Sequence, residues 1–450
     1  MRSRIILTSL VIVALGACTS DVPTAPLDLR PLHHDVPPAP GNAGPDLYSK
    51  NVKLLANLAK TGDAVQTDLA FAGQLVFAGN YEGFRVVDAS DPENPTVVST
   101  VACNGAQGDV SVYGRLLFLS VDVPQSSSAC DSYNVAVQEP GMFEGVRIFD
   151  ISNPANPQHV ASVATACGSH TNTLVPDPAN GRVLVYVSSV SRFVGVNSTP
   201  TCKAPHGFIS IVNVPLANPA EATVSEYTLD GETEVWGGTR GCHDITVFLE
   251  IQRAAAACYS ENQMWDIADP LNPVLLWRFD NAAGSIWHSA AFSWDGKIVA
   301  FGDEAGGGSE ALCADPNDGQ GRIWFVDVAS GALRGSYKLP RAETGECTAH
   351  NFNFVPLKNG RKVLVSTWYT GGTSVVDVDK LLAGAPSAVA EVGFYRPQGG
   401  DVWSSYWYNG FIYANDMNRG LDVMLLSDNA RAGDRKFEYM NPQTQEQLIR

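Results

Sequence analysis

The feature that most constrains this chain is an apolar strand that ends in aspartate and continues into a proline-rich turn. The pattern reads F-R-V-V-D-A-S-D-P-E-N-P at Phe84–Pro95 and V-R-I-F-D-I-S-N-P-A-N-P at Val146–Pro157. Repeats of roughly 20–50 residues are typical of solenoids, propellers or arrays. With its weaker copies the pattern recurs over 334 residues at a mean spacing of about 56, anchored at Asp88, Asp150, Asn213, Asp266, Asp327, Asp377 and Asp422.

Each copy contains four short segments with strand character. Two apolar segments are joined by a tight turn, the Asp-ended segment is third, and a fourth follows the proline turn, as at Thr96–Val101. Aspartate accepts hydrogen bonds from nearby backbone amides and proline fixes φ, so together they form the turn. Four antiparallel strands in each of seven copies predict an all-β fold, a seven-bladed β-propeller.

The seventh copy lacks a fourth strand, because the chain after Asp422 becomes polar and ends at Arg450. The segment Val52–Ala59 precedes the first copy and resembles the fourth strands elsewhere. We therefore predict that this N-terminal strand completes the seventh blade and closes the ring. Residues 49–429 would then form the propeller, and the tail 430–450 would be peripheral.

The N-terminus has the pattern of an export signal. Two arginines precede an apolar run from Ile5 to Leu15, which is too short to span a bilayer but suits a signal peptide. The sequence L-G-A-C that ends the run resembles the bacterial lipobox. This resemblance implies a lipoprotein signal over residues 1–18 with the lipid on Cys18; an ordinary signal cleaved near Ala17 is the alternative.

Composition limits the partners and the location. Residues 19–48 contain seven prolines and few large apolar residues, which predicts a flexible tether. With 47 acidic and 30 basic residues the net charge is -17, which argues against nucleic-acid binding. The same charge opposes an anionic membrane surface, so membrane contact would come through the lipid anchor only. We predict an extracytoplasmic protein of the bacterial cell envelope, periplasmic or surface-exposed.

Eight cysteines remain when Cys18 is set aside, and an even number in an exported chain predicts disulfides. In a propeller blade, the loop before the first strand and the loop between the second and third strands lie on one face. Four cysteines fall just before first strands and four fall in or next to the loops between second and third strands, so pairing in sequence order would staple neighbouring loops on that face. A zinc site is the alternative, although no C-x-x-C spacing occurs. The eight are Cys103, Cys130, Cys167, Cys202, Cys242, Cys258, Cys313 and Cys347.

Histidines concentrate at one position of the repeat. Alignment of the first strands places Thr67, Gly108, His170, His243, His288, His350 and Trp403 in one equivalent slot. First strands line the central channel, so four imidazoles are expected at one mouth of it. Asp303 and Glu304, an acidic pair at the end of a second strand, should lie on the same face. Imidazole and carboxylate suit Cu, Fe or Zn, and the predicted ligands are His170, His243, His288, His350, Asp303 and Glu304.

Two other interpretations of the slot stay open. Each histidine could form a structural hydrogen bond within its own blade, and the mouth could hold a ligand without a metal. No cofactor is therefore certain from the sequence, with a transition metal as the alternative, and no catalytic residue is predicted.

The repeats resemble the LVIVD-repeat family over roughly Val52 to Ser427. The D-x-S-x-P-x-x-P turns carry this resemblance, with W-H-S-A-A-F-S-W-D-G-K at Trp287–Lys297 and S-T-W-Y-T-G-G-T-S-V-V-D at Ser366–Asp377. The resemblance implies a secreted or surface-exposed propeller and no settled activity. The histidine-rich half distantly resembles selenium-binding proteins and methanethiol oxidases, propellers with histidines at the channel mouth.

Two functions follow as expectations. The first is binding of a protein or small-molecule partner on the disulfide-stapled, histidine-rich face. The alternative is a metal-dependent oxidoreductase with its histidine cluster at the channel mouth, so the sequence leaves open whether the protein is an enzyme.

Overall fold

A computed structural model describes residues 44–136, 139–189, 202, 206–229, 241–384, 390–427 and 433–447. The predicted signal segment, Cys18 and most of the predicted tether lie outside these residues. Within them, seven antiparallel sheets follow one another along the chain, and each sheet has four or five strands. The fold is the predicted all-β, seven-bladed propeller.

Each blade runs from an inner first strand to an outer fourth strand. Two strands precede the blades: β1 (Leu47–Tyr48) and β2 (Val52–Ala59). Blade one has β3 (Gln66–Ala72), β4 (Leu75–Asn80), β5 (Gly83–Asp88) and β6 (Thr96–Ala102). Blade two has β7 (Val110–Tyr113), β8 (Leu116–Gln125), β9 (Phe143–Asp150) and β10 (Gln158–Ala164). Blade three has β11 (Thr171–Asp177), β12 (Arg182–Ser188), β13 (Phe208–Pro215) and β14 (Thr223–Thr228).

The remaining blades repeat this order. Blade four has β15 (Ile245–Phe248), β16 (Arg253–Cys258), β17 (Glu261–Asp266) and β18 (Val274–Phe279). Blade five has β19 (Trp287–Phe292), β20 (Ile298–Asp303), β21 (Ile323–Asp327) and β22 (Leu333–Tyr337). Blade six has β23 (Phe352–Phe354), β24 (Val363–Thr367), β25 (Thr373–Asp377) and β26 (Ala390–Arg396). Blade seven has β27 (Val402–Tyr408), β28 (Phe411–Asp416) and β29 (Gly420–Leu426), and the C-terminal segment adds β30 (Tyr439–Met440) and β31 (Thr444–Gln445).

Helical structure is confined to short turns in the described residues. There is one α-helix, α1 (Asp379–Leu382), and the 3-10 turns are Pro178–Asn180, Pro219–Glu221 and Leu249–Ile251. None of these helices has the length and apolar character needed to cross a bilayer.

The N-terminal strand closes the ring, as predicted. β2 pairs antiparallel with β29, from Val52 opposite Leu426 to Ala59 opposite Gly420. Since β2 is the outer strand of blade seven, the two ends of the repeat array are joined by a full strand ladder. β1 extends the outer edge of blade six by pairing with β26.

The repeated aspartate forms a local turn in several blades. Asp88 Oδ1 accepts from the Ser90 amide at 2.8 Å, and Asp150 Oδ1 accepts from the Ser152 amide at 2.9 Å. The backbone group two residues on is thereby satisfied where the chain reverses, which explains why aspartate recurs at the end of the third strand.

Apolar side chains from neighbouring blades form the core. Alternating residues of each strand point to opposite faces of a blade, so each face packs against the next blade around the ring. Between blades one and two, for example, the buried set includes Phe77, Phe84, Val112, Leu117 and Phe149. A similar layer between blades three and four includes Tyr186, Ile211, Ile245 and Trp265.

The C-terminal segment lies closer to the channel than the peripheral position expected from the sequence. β30 pairs with β3 and β31 pairs in parallel with β15, so the segment crosses first strands on the face opposite the histidines. Its side chains satisfy backbone groups of those strands: Gln445 accepts from the Phe292 amide at 2.7 Å and donates to the Phe292 carbonyl at 2.9 Å. The polar residues of this segment therefore form an internal plug against the first strands. The polarity of the segment does not by itself predict this position.

Candidate metal centre

Equivalent backbone bonds fix three of the four slot histidines at the start of their blades. The amide of His170 donates to the Ser188 carbonyl at 2.8 Å, that of His243 to the Ala257 carbonyl at 2.7 Å, and that of His350 to the Thr367 carbonyl at 3.1 Å. Each acceptor lies at the end of a second strand. These three imidazoles are therefore attached at the same height along the channel, as the sequence alignment predicted.

His288 reaches the same level by a β-bulge. In the pairing of β19 with β20, Trp287 lies opposite Asp303 and Ser289 lies opposite Gly302, so His288 is an extra residue with no partner in the ladder. A bulge re-aims the side chain of the inserted residue and is common beside functional sites. Trp403 occupies the corresponding bulge of blade seven.

The four imidazoles form a continuous row. Ring centroids are separated by 4.5 Å between His170 and His243, 3.6 Å between His243 and His288, and 4.4 Å between His288 and His350. All four residues are buried. Side chains that are separated by up to 180 residues in sequence thus share one volume at the channel mouth.

At one end of the row, His170 is held between two partners. Its Nδ1 lies 2.7 Å from Asp122 Oδ2, and its Nε2 lies 2.8 Å from His243 Nε2. A carboxylate on one ring nitrogen fixes the orientation of the imidazole. His170 therefore orients His243.

Glu304 links the other two histidines. His288 Nε2 lies 3.6 Å from Glu304 Oε2, and His350 Nε2 lies 3.7 Å from Glu304 Oε1. These separations are too long for hydrogen bonds, but they suit donor atoms that share one ion at metal–ligand distances of about 2.0–2.2 Å. Tyr369 donates to Glu304 Oε1 from the far side.

The hydrogen bond of His350 determines which of its ring nitrogens can act as a metal ligand. Its Nδ1 bonds to the Trp403 backbone carbonyl, which can only accept, so Nδ1 carries the proton. When the ring is neutral, Nε2 presents its lone pair toward Glu304. A second ring nitrogen bound to a backbone carbonyl is the usual support of a metal-binding histidine.

Burial disfavours the charged form of the Glu304 carboxyl. The pKa of Glu304 is raised to about 8, chiefly because the carboxyl is removed from water; the charges of Asp244 and Asp303 also raise it, whereas the hydrogen bond from Tyr369 lowers it. A cation bound between the imidazoles would favour the charged carboxylate and reverse this shift.

Donor atoms of three side chains lie close enough together to share one metal ion. One ligand atom each from His243, His288 and Glu304 lies within 4.8 Å of the other two. Two imidazoles and a carboxylate suit zinc, iron, copper or nickel, so these residues fit a transition metal. A cavity lined by His243 and His288 extends to Gln107, Asn351 and Trp403.

Asp303, one of the predicted ligands, accepts hydrogen bonds from backbone amides through both of its carboxylate oxygens. Its Oδ1 accepts from the amides of Ser285 and Ile286, each at 3.0 Å, and its Oδ2 accepts from the amide of Gly321 at 2.8 Å. These bonds join the loop before β19 to the loop before β21. Asp303 therefore positions Glu304, the next residue, and does not face the imidazoles.

Two supporting residues were missed by sequence reasoning. The amide of Asp122 bonds to Gly105, in the loop before the first strand, as that of Glu304 bonds to Ile286, and this shared position near the end of a second strand is the signal that could have identified it. Tyr369 follows β24 and has a left-handed φ of 51°. Nothing in the local sequence indicates that its hydroxyl reaches Glu304 in the neighbouring blade.

Four disulfides staple the loops around this mouth in the predicted sequential order. They are Cys103–Cys130, Cys167–Cys202, Cys242–Cys258 and Cys313–Cys347. Each joins the loop before a first strand to the loop between second and third strands or, at Cys258, to the last residue of the second strand β16. Cys242 immediately precedes His243, so its bridge restrains a residue of the cluster, and four bridges are typical of an oxidising, extracellular environment.

Comparison with known proteins supports the repeat. A family model described as LVIVD repeat matches residues 141–165, which contain the second copy of the Asp–Pro pattern. The chain is therefore a seven-bladed propeller in which one segment matches the LVIVD repeat. No curated protein matches the sequence significantly.

Among solved structures, a chain in "Crystal Structure of Mitotic Checkpoint Complex" is similar, with 12% identity and a TM-score of 0.49. The match covers 95% of this chain and 100% of that chain. The resemblance to selenium-binding proteins and methanethiol oxidases stays a prediction.

Proposed function

We propose that this protein is an exported metalloprotein that binds a transition metal at the mouth of its propeller channel. His243, His288 and Glu304 would supply the ligands. The observation that carries the proposal is the approach of their donor atoms to within 4.8 Å of one another. All three side chains are buried.

His350 is the fourth candidate ligand. Its Nε2 lies 3.7 Å from Glu304 Oε1, and its proton lies on the nitrogen that faces the Trp403 carbonyl. His170 lies beyond His243, with its own partner in Asp122, so it supports the centre from outside.

The activity that such a centre supports best is metal-dependent oxidation or reduction of a small molecule. Three protein ligands leave coordination positions open, as in catalytic metal sites. The adjoining cavity is lined by Gln107, Asn351 and Trp403, which offer amide groups and an aromatic ring to a small polar substrate. Copper or iron would supply the redox chemistry, whereas these residues bind and orient the substrate.

Metal analysis of the purified protein tests the proposal. Mass spectrometric elemental analysis should find about one equivalent of copper, iron or zinc in the wild type. A His243→Ala/His288→Ala variant should lose it, while His159→Ala, which changes a histidine on the outer strand of blade two, should retain it. Wild-type protein that is refolded with each metal and still binds none would overturn the proposal.

We also propose export through the N-terminal signal and anchoring through Cys18. The four disulfides support the oxidising location, and the acidic net charge of -17 supports contact through a lipid and not through the protein surface. Cell fractionation tests this. A Cys18→Ser variant should move from the membrane to the soluble extracytoplasmic fraction, and wild-type protein found in the cytoplasm would contradict it.

Binding of a protein partner on the same face stays a prediction. Capture of a partner distinguishes this prediction from the metal proposal. A partner that is captured equally by metal-loaded protein and by the His243→Ala/His288→Ala variant would not depend on the metal centre.

A further inference from the structure

The seven first strands present backbone groups to the channel at a second level, away from the histidines. This level lies four residues beyond the histidine slot on each strand, and every residue there is at most 2% exposed. In the described residues, only strands of the C-terminal plug lie beside the inner edge of a first strand, so the buried N–H and C=O groups need other partners. We call this set the lower ring: Phe71, Val112, Leu174, Val247, Phe292, Phe354 and Trp407.

Two carboxamide side chains of the plug each bind both backbone groups of one member of the lower ring. Asn441 accepts from the Val112 amide at 2.7 Å and donates to the Val112 carbonyl at 2.8 Å. Gln445 bonds in the same way to Phe292. A carboxamide has a donor and an acceptor side by side, so one side chain replaces the missing neighbouring strand.

The backbone of the plug serves two further members. Met440 lies opposite Phe71 in the pairing of β30 with β3, and the Gln443 carbonyl accepts from the Val247 amide at 2.9 Å. The plug therefore reaches blades one and four as well as blades two and five.

A hydroxyl completes the series. Thr444 Oγ1 donates to the Leu174 carbonyl of blade three at 2.7 Å, so the plug serves blades one to five. In blade seven, Asn353 of blade six has the equivalent role: it accepts from the Trp407 amide at 2.8 Å and donates to the Trp407 carbonyl at 3.0 Å.

The ring is closed without the plug. β2 and β29 pair from Val52 to Ala59, whereas β30 and β31 have two residues each. Hydrogen bonds to backbone groups exchange for water at a small net cost, and short elements held by few apolar contacts open before the whole fold does. The plug can therefore leave while the propeller stays closed.

Phe437 would remain as an anchor when the plug leaves. Asn409 accepts from the Phe437 amide and donates to its carbonyl, each at 2.8 Å. The Phe437 ring also stacks on Trp294 with a centroid separation of 4.8 Å. These contacts hold the chain at the start of the plug and leave the residues after Phe437 free to move as a unit.

The plug also contacts the wall of the cavity beside the histidines. Gln443 Nε2 donates to Asp68 Oδ2 at 3.2 Å, and Asp68 lines the cavity that reaches His243 and His288. Release of the plug would remove this partner and open the cavity from the end of the channel opposite the histidines.

We propose that this end of the channel is a binding site for a peptide with carboxamide side chains, and that Tyr439–Gln445 occupy it as a releasable ligand of the same chain. Peptides that add to a strand edge bind chiefly through main-chain hydrogen bonds, and the edges of the lower ring offer such groups. The Thr444 amide donates to the Asn441 carbonyl at 3.0 Å across a turn that contains Pro442, which fixes the spacing of the recognising residues. This site does not depend on the metal of the proposed function.

Binding of a synthetic peptide to the full chain tests the inference. The variant Asn441→Ala/Thr444→Ala/Gln445→Ala weakens the plug in place, and fluorescence anisotropy follows a labelled peptide of residues 438–447. The peptide should bind this variant and not the wild type, where the tethered plug competes at a high effective concentration.

Substitutions within the peptide test how it is recognised. Gln445→Ala in the peptide should weaken binding at least about tenfold, because both bonds to Phe292 are lost. Glu438→Ala is the matched control and should bind unchanged, since the Glu438 side chain is exposed.

Hydrogen exchange tests release in the wild type, and it serves also if the triple variant does not fold. The amides of Val112 and Phe292 should exchange together, at least about tenfold faster than the amide of Leu184 in the second strand of blade three. Exchange as slow as that of Leu184 would show that the plug opens only on unfolding. Failure of the folded triple variant to bind the peptide, or equal binding by the wild type, would show that the lower ring is not the site; each of these results overturns the inference.

Discussion

His170 Nε2 lies 2.8 Å from His243 Nε2, so an imidazole of blade three is hydrogen-bonded to one of blade four. Because Asp122 fixes the other nitrogen of His170, the orientation of His243 depends on a carboxylate from blade two. The candidate centre is thus held by contacts that pass around the ring, from blade two through to Tyr369 in blade six.

Removal of the Tyr369 hydroxyl should weaken metal binding without unfolding the protein. Tyr369→Phe loses the hydrogen bond to Glu304, and such supporting contacts are typically worth about 10–100-fold in metal affinity. Competition with a chelator of known affinity measures the change. Tyr395→Phe is the control, because its hydroxyl also donates to a carboxylate, that of Asp46 at 3.2 Å, but lies in an outer strand. Equal effects of the two variants would contradict the assigned role.

The disulfide beside His243 should matter to both stability and metal affinity. Cys242→Ala/Cys258→Ala opens a loop with a sequence separation of 16, and loss of such a bridge costs about 2–4 kcal/mol. Chemical denaturation gives the free energy of unfolding and titration gives the affinity. Cys103→Ala/Cys130→Ala should lower stability similarly and leave metal affinity intact, since that bridge lies away from the cluster.

Glycine at the entry to a third strand should be irreplaceable. Gly83 has a φ of +135°, and a Cβ there would lie 2.1 Å from the Val101 carbonyl oxygen. Gly83→Ala should cost about 3–4 kcal/mol, since backbone must move to relieve the clash. Gly73→Ala is the control: its φ is +60° and nothing lies within 4 Å, so it should cost only about 1–2 kcal/mol. Urea denaturation compares the two.

The C-terminal plug should contribute to stability through Gln445. In Gln445→Glu the carboxylate can still accept from the Phe292 amide but cannot donate to its carbonyl, which is left unsatisfied at a cost of about 1–3 kcal/mol. Thermal unfolding measures the loss. Gln158→Glu also removes bonds to backbone carbonyls, but on an exposed turn, and should have no measurable effect. A stable Gln445→Glu variant would mean that the plug is dispensable.

Stability should fall as the pH rises from about 4 to 7, in part because of Asp416. Burial, with a smaller contribution from Asp422, raises the pKa of Asp416 from 3.8 to about 7. In this window the folded state keeps a proton that the unfolded state has released, so rising pH favours unfolding by about 1.4 kcal/mol per pH unit at most. Asp416→Asn should flatten the slope of unfolding free energy against pH, whatever its effect on absolute stability.

Asp91→Asn is the control for that measurement. Hydrogen bonds from Asn94 and Glu93 lower the pKa of Asp91, so both states are ionised above about pH 5 and its removal should not change the slope between pH 5 and 7. An unchanged slope in Asp416→Asn would show that the buried carboxyl is not protonated in the folded state.

The fold was predictable because its signals are local and repeated. The turns at Asp88 and Asp150 depend on residues two positions away, and counting strands was enough to assign Val52–Ala59 to blade seven. The alignment of first strands also placed His170, His243, His288 and His350 at one level. These inferences need only the period of the chain and the topology of a blade.

What the tertiary structure alone decided is which side chains meet. Asp122 and Tyr369 join the cluster and Asp303 leaves it because orientation around a ring depends on bulges, positive φ angles and contacts between blades, none of which is written in a local pattern. The C-terminal segment is polar and therefore seemed peripheral, yet its amides match unpaired backbone groups in the channel. The sequence by itself determined the architecture and the level of the histidines; three-dimensional packing determined the donor set, because donor atoms converge only once the ring has closed.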